Sequence, residues 1–369
     1  MTSALFSPFS LRNLTLANRI VVSPMCQYSA EHGSATDWHL MHLGQFAMGA
    51  AALVMTESTA VSAEGRISHK CLGLYSDDNE AALGRVIDFC RRHGVTALGI
   101  QLAHAGRKAS THPPGGGKPL GADQGAWTAL APSAVPFAPD WHVPEAVDAE
   151  AMARIKGEFA AAATRAARIG FDLVELHCAH GYLLHEFLSP IANRRTDGYG
   201  GSLANRLRFP LETFEAVRAV WPADKPLGVR VSATDWVEGG WTPEETVVLA
   251  RELSGLGCDF VDVSSGGMDP GQQIPLGPGY QVPLAAKVRA EANVATMAVG
   301  MITEPHQAED IVASGRADMV ALARGMMYDP RWAWHAAEAL GVETTYAPGY
   351  TRCHPTRWPE VFPNRRAAE

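Results

Sequence analysis

The stretch Phe171-Asp172-Leu173-Val174-Glu175-Leu176-His177-Cys178-Ala179-His180-Gly181-Tyr182 decides how this chain is read. Its apolar half, residues 171–176, has the length and composition of a short buried strand. Two imidazoles and a phenol follow at once, where a strand ends and a loop begins. That is the edge on which α/β proteins assemble active sites. Two imidazoles three residues apart can aim hydrogen-bond donors at one oxygen atom, and a nearby tyrosine hydroxyl can deliver a proton. The group suits chemistry in which a carbonyl oxygen gains negative charge and a neighbouring carbon is protonated.

Outward from this strand the same alternation continues in both directions. Residues 19–25, 52–58, 95–103, 172–177, 226–233, 259–265, 295–300 and 318–324 read as strands. Amphipathic helices lie between most of them, at 37–51, 77–93, 148–169, 205–220, 243–256, 282–292, 303–314 and 330–340. Aspartate N-caps and closing glycines mark several of the helix ends. Crossovers of this length suit parallel strands. An open doubly wound sheet and a closed (β/α)8 TIM barrel both satisfy the alternation. Eight strands favour the barrel, and so does the want of a GxGxxG after any strand. The glycine run at Gly115, "GGGKPLGAD", sits in a proline-rich loop and opens no helix. One barrel over residues 1–345 is therefore expected, followed by a tail at 346–369. Pro348, Pro355, Pro359 and Pro363 bar a long helix from that tail, which also carries Arg352, Arg357, Arg365 and Arg366.

Composition narrows the function classes. Of 369 residues, 47% are hydrophobic and 19% charged, enough for a large globular core. A net charge of −8 with no basic stripe speaks against a nucleic-acid surface. No run reaches membrane-span length and no leader pattern opens the chain, so a cytoplasmic protein with no membrane contact is expected. The six cysteines form no CxxC pair, which argues against a zinc ribbon, a local iron–sulfur motif or a disulfide framework.

Polar side chains gather in six segments near strand ends: Ser23-Pro24-Met25-Cys26-Gln27-Tyr28, Gln101 to Arg107, the His177/His180/Tyr182 group, Arg230 inside Val229-Arg230-Val231, Ala298 to Met301, and Ala323-Arg324-Gly325. An arginine inside an apolar strand needs an anion or a carbonyl. Glycines after the seventh and eighth strands match the place where barrels bind phosphate. The set describes a pocket for a planar, carbonyl-rich, phosphorylated cofactor.

The motifs "SPMCQY", "QLAHAGRKAS", "HCAHGYLLHEFLSPIANRRTDGYGGSLANR" and "DPRWAWHAA" carry a family resemblance over nearly the whole chain. It resembles the Old Yellow Enzymes, FMN-dependent ene-reductases, in their thermophilic-like subclass. That resemblance implies a (β/α)8 barrel, FMN as cofactor and NADPH or NADH as reductant. It implies an enone-type small-molecule substrate and a homodimer or homotetramer. Ser23, Pro24, Met25, Cys26, Ala60 and Gln101 would line the flavin, with the Cys26 thiol tuning its potential. Arg230 would face the N1/C2 carbonyl region, and Gly300, Met301, Ala323 and Arg324 would hold the phosphate. His177 and His180 would grip the substrate oxygen, Tyr182 would donate the proton and Tyr28 would help bind substrate. Arg352 would be lent to a neighbouring subunit. Where the family often has Gly-Arg in the phosphate loop, this chain has Ala323-Arg324, which still offers a backbone N–H.

The same residues admit plainer readings. His177 and His180 fit capping or core histidines, or two zinc ligands with His104 or His185 as a third, as in a zinc-dependent barrel hydrolase. Cys26 fits inert packing, Tyr28 a rim aromatic, Arg230 a pair with a core carboxylate such as Glu175, and Arg352 a solvated arginine. Relatives that reduce dienoyl thioesters carry an added iron–sulfur and nucleotide-binding region, for which this chain has neither the cysteine spacing nor the length.

Overall fold

A computed structural model describes residues 3–114 and 117–361. Gly115 of the glycine run and Pro363, Arg365 and Arg366 of the tail lie outside the described residues. Within them the chain closes a barrel of eight parallel strands. These are β1 (Ile20–Val22), β2 (Leu53–Ala60), β3 (Ala97–Ala103), β4 (Leu173–Cys178), β5 (Leu227–Ser232), β6 (Phe260–Ser264), β7 (Ala295–Val299) and β8 (Met319–Leu322). Each pairs with its sequence neighbours, and β8 closes on β1 through Val320 opposite Ile20. All six residues of β4 are buried, because helices cover its outer face and the barrel interior its inner one.

The surrounding helices are α1 (Asp37–Ala47), α2 (Asp77–His93), α3 (Ala149–Ile169), α4 (Leu183–Leu188), α5 (Leu203–Val220), α6 (Pro243–Gly255), α7 (Val282–Ala292), α8 (Pro305–Ala313), α9 (Arg324–Tyr328) and α10 (Trp332–Ala339). Their ends follow local chemistry. Asp148 caps α3 by accepting from the Ala151 N–H, and Gly170 stops it at φ +97°. Ser76 caps α2 in the same way, with acids in its first turn and bases in its last. No helix among the described residues is long and apolar enough to cross a membrane.

Three features differ from the sequence reading. The first strand stops at Val22, so residues 23–28 leave the sheet as a loop over the barrel mouth. A two-stranded hairpin, Phe9–Leu11 with Leu14–Leu16, precedes it. Leu11 and Leu16 pack with Val21, Leu53, Leu173, Phe260, Met297 and Met319, closing the barrel floor, and Arg12 anchors the hairpin to Asp259 at 2.7 Å. In the tail, Pro348–Cys353 forms a 3-10 turn. Tyr346 stacks on Trp334 at 4.4 Å, and the Arg331 guanidinium lies 5.1 Å from the Tyr350 ring. The described part of the tail thus packs on α10 of its own barrel.

Candidate active site

The His177–Tyr182 group stands where β4 becomes α4. His177 is the fifth residue of β4 and is buried; Tyr182 is the N-cap position of α4. Between them the chain makes a tight turn with positive φ at both His180 (+60°) and Gly181 (+72°). A Cβ on Gly181 would lie 2.2 Å from the Gly267 carbonyl, so this position requires glycine. The turn brings the three rings together: His177 lies 5.1 Å from His180 and 5.0 Å from Tyr182, edge to face in both cases.

Hydrogen bonds fix the tautomer of His177. Its Nδ1 accepts from the Ala179 N–H at 3.2 Å, so the ring proton sits on Nε2, which bonds to nothing else among the described residues. His180 is held differently: its Nε2 is 2.8 Å from the Ser264 hydroxyl. Burial, and then the Arg230 charge, keep both histidines well below the ordinary imidazole range, so both are neutral at pH 7. Burial pushes Tyr182 well above the usual phenol range and keeps its proton in place. Tyr28 and Cys26 pack with Tyr182 against Ile67, Cys71 and Ala105. Burial, then the Glu57 carboxylate, raise the Cys26 thiol, so it is a thiol and not a thiolate. Glu57 reaches this loop across an irregularity in the β2 ladder between Met55 and Ser58, accepting from the Gln27 N–H at 3.2 Å.

Lys108 binds this group from outside. Its ammonium donates to the carbonyls of His180 (2.9 Å) and Gly267 (3.1 Å) and lies 5.2 Å from the Tyr182 ring centre.

Beside the rings, a cavity of about 430 Å³ opens at the C-terminal ends of β5 to β8. Arg230, Gly300, Met301, Ala323 and Arg324 all line it. Gly300 has φ +118°, and a Cβ there would meet the Gln281 amide at 2.7 Å. The first N–H groups of α9 begin at Arg324, beside the glycine. Arg230 pairs with Asp262 at 3.0 Å, not with Glu175. Glu175 instead accepts from the Gln101 amide at 2.7 Å, and burial, then Asp262, push its carboxyl above the usual carboxylate range. Ala60 ends β2, with its backbone N–H and C=O bonded to Leu72 and Leu74. Ser23 keeps its hydroxyl buried without a partner among the described residues. A buried arginine and a glycine-lined backbone edge on one cavity suit the ring and the phosphate of a flavin nucleotide, so the residues present fit FMN.

Sequence reasoning missed Ser264, Gln281 and Lys108. Gln281 ties the mouth together: its carbonyl oxygen accepts from Ser265 at 2.6 Å and Ser264 at 3.3 Å, and its amide donates to the Val299 carbonyl. The pair Ser264-Ser265 was a usable signal, two adjacent hydroxyls at the C-terminal end of β6. The zinc reading finds no ligand set, since among the described residues no three His, Cys, Asp or Glu side chains converge. His104 accepts from the Gly106 N–H, and His185 is taken up by Gly181 and Asp235. Arg352 is exposed on the tail and makes no contact with the ring group among the described residues.

Residues 4–343 match the model of the NADH:flavin oxidoreductase / NADH oxidase family. The chain is 44% identical over 354 residues to an NADPH dehydrogenase of Geobacillus sp. (strain WCH70), covering 95% of this chain and 99% of that one. It is 45% identical over 348 residues to an NADPH dehydrogenase of Listeria innocua serovar 6a, covering 94% and 97%. Among solved structures it is similar to morphinone reductase, with a TM-score of 0.77, 26% identity, and coverage of 95% of this chain and 93% of that chain. A 2-naphthoyl-CoA reductase complex superposes with a TM-score of 0.82 and 25% identity over 91% of this chain, which spans about half (52%) of that longer one. The barrel, the cavity and these relatives agree: the chain belongs to the NADH:flavin oxidoreductase / NADH oxidase family, FMN-dependent enzymes that draw on a nicotinamide nucleotide.

Proposed function

We propose that this enzyme uses NADPH or NADH to reduce the activated C=C bond of α,β-unsaturated carbonyl compounds. The observation that carries the reading is the free Nε2–H of His177, held neutral and buried within 5.0 Å of Tyr182 and 5.1 Å of His180.

Ser23, Pro24, Met25, Cys26, Ala60, Gln101 and Arg230 would hold the flavin ring, and Gly300, Met301, Ala323 and Arg324 its phosphate. Bound FMN supplies the hydride for the β-carbon. His177 donates from Nε2 to the substrate carbonyl oxygen and so withdraws electrons from the alkene. His180 joins it when the Ser264 hydroxyl turns from Gln281 Oε1 to donate into Nε2, which leaves the imidazole proton on Nδ1. These donors matter most as the oxygen becomes enolate-like; one such donor is typically worth ~10²–10³ in rate. Tyr182, whose proton is secured by burial, protonates the α-carbon. Tyr28 borders the substrate, and Arg230 supplies a fixed positive charge. Neutral histidines suit the task, because an imidazolium would be costly at this depth.

In a homodimer or homotetramer, Arg352 would complete the neighbour's pocket, with the barrel at 1–345 and the tail at 346–369 as separate parts of that assembly. The test is an anaerobic visible spectrum of the purified enzyme before and after NADPH and then cyclohexenone. A flavin spectrum that bleaches with NADPH and returns with the enone is the expected result. A flavin that bleaches and ignores the enone would overturn the substrate assignment.

A further inference from the structure

The turn that carries His180 is held in an uncommon conformation. Positive φ at a non-glycine residue persists only where its surroundings impose it. Four contacts do so. The His180 N–H donates to Ser232 Oγ at 2.9 Å, the His180 carbonyl accepts from Lys108, and the Tyr182 N–H returns to the Ala179 carbonyl at 3.2 Å. The fourth is the Gly181 N–H, which donates to Nδ1 of His185 at 2.9 Å. His185 belongs to α4, and neither its side chain nor that of Asp235 touches solvent.

An imidazole nitrogen accepts a hydrogen bond only when it carries no proton. The Gly181 contact therefore requires the His185 proton to sit on Nε2. On that side stands Asp235, with Oδ1 at 3.0 Å. A carboxylate there favours a proton on the facing nitrogen and leaves Nδ1 bare. The carboxylate is itself fixed: its Oδ2 accepts from Ser189 Oγ at 2.6 Å and from the Trp241 N–H at 2.8 Å. An aspartate in the loop after β5 thus sets which face of a histidine on α4 is free to hold the turn after β4.

We propose that Asp235 and His185 are a positioning pair, which fixes the His180–Gly181 turn and with it the aim of His180 and Tyr182. Neither residue touches the reacting atoms. The assignment rests on the reading of His177, His180 and Tyr182 as the substrate-binding group.

The test uses the FMN-loaded enzyme labelled with 15N-histidine and titrated with phenol, which mimics an enolate oxygen. In Asp235→Asn the amide oxygen keeps Ser189 and Trp241, and its NH2 faces His185. The His185 proton is expected to move from Nε2 to Nδ1 in the 15N spectrum, and phenol affinity to fall by about tenfold, the worth of one buried hydrogen bond. The double variant Asp235→Asn/His185→Asn places an amide oxygen where Nδ1 was, an acceptor that needs no tautomer, and is expected to regain most of that affinity. A double variant no better than Asp235→Asn would reduce the pair to packing and overturn the proposal, as would an unmoved proton. Should Asp235→Asn fail to fold, His185→Asn alone, which keeps the acceptor, is expected to bind phenol within about threefold of the parent; an about tenfold loss would overturn the proposal. Phenol affinity unchanged in His177→Ala would instead sink the substrate-site reading and leave the 15N result standing.

Discussion

At the β4 side of the barrel mouth the functional groups are side chains; at the β7–β8 side they are backbone. His177, His180 and Tyr182 are held by neighbours that reach them from the turn after β3, from β5, β6 and α4, and each is shifted from its ordinary acidity by burial. Gly300 and the start of α9 offer N–H groups and a shape, and Met301 beside them is 40% exposed. The first arrangement depends on residue identity at many positions. The second depends on φ at one or two positions, and Ala323, at φ −105°, has no need of glycine.

Substitutions should expose this difference. The largest effect is expected for Tyr182→Phe, which removes the proposed proton donor while keeping the ring. Enone turnover should fall by ~10²–10⁴ with reduction by NADPH largely kept, and stopped-flow traces of the two half-reactions check this. An equal loss in both would end the proton-donor role. Next comes His177→Ala, which loses an imidazole donor unpartnered among the described residues; phenol affinity should drop by roughly tenfold to a hundredfold, and by more than in His180→Ala. A reversed order would mean that Ser264 does not hold His180 in solution. On the backbone side, Gly300→Ala strains a φ of +118° and crowds Gln281, so FMN affinity should fall by about tenfold, whereas Ala323→Gly should change it by less than about threefold. Fluorescence titration of apoenzyme with FMN separates the two.

The smallest effect is on stability, and it also belongs to the side-chain half. Burial raises the Glu186 carboxyl to about 8 from 4.5. Between those values the folded protein keeps a proton that the unfolded chain releases, so stability drops as pH rises across the window. Glu186→Gln still accepts from the Arg107 N–H, which now bonds Oε1 at 2.8 Å, but no longer titrates. Its melting temperature should decline less across that window than the parent's, by a few degrees at most, as calorimetry over pH would read. Parallel curves would place the titration elsewhere.

The barrel was legible because each strand is a short apolar run between turn signals, and eight such runs with helices between them leave few architectures. The hairpin at the barrel floor was not: three-residue strands at Phe9–Leu11 and Leu14–Leu16 are too short to show a period. The ring group was legible from its chemistry, and the phosphate edge from its glycines. What holds His180 was not, because Lys108, Ser232, Asp235 and Ser264 lie 52 to 84 residues away along the chain and meet it only through the closed sheet. A polar residue at the end of an apolar strand announces that it has a partner, and never which one.

The pairing of Val320 with Ile20 has a consequence for synthesis. During translation the ring has no closure until β8 has left the ribosome, so β1 and the newest strand each present an unpaired edge for most of elongation. The hairpin anchored by Arg12 to Asp259 likewise waits for β6. Both contacts join the start of the chain to strands made late, and a chaperone that shields strand edges would act on this enzyme before its cofactor could.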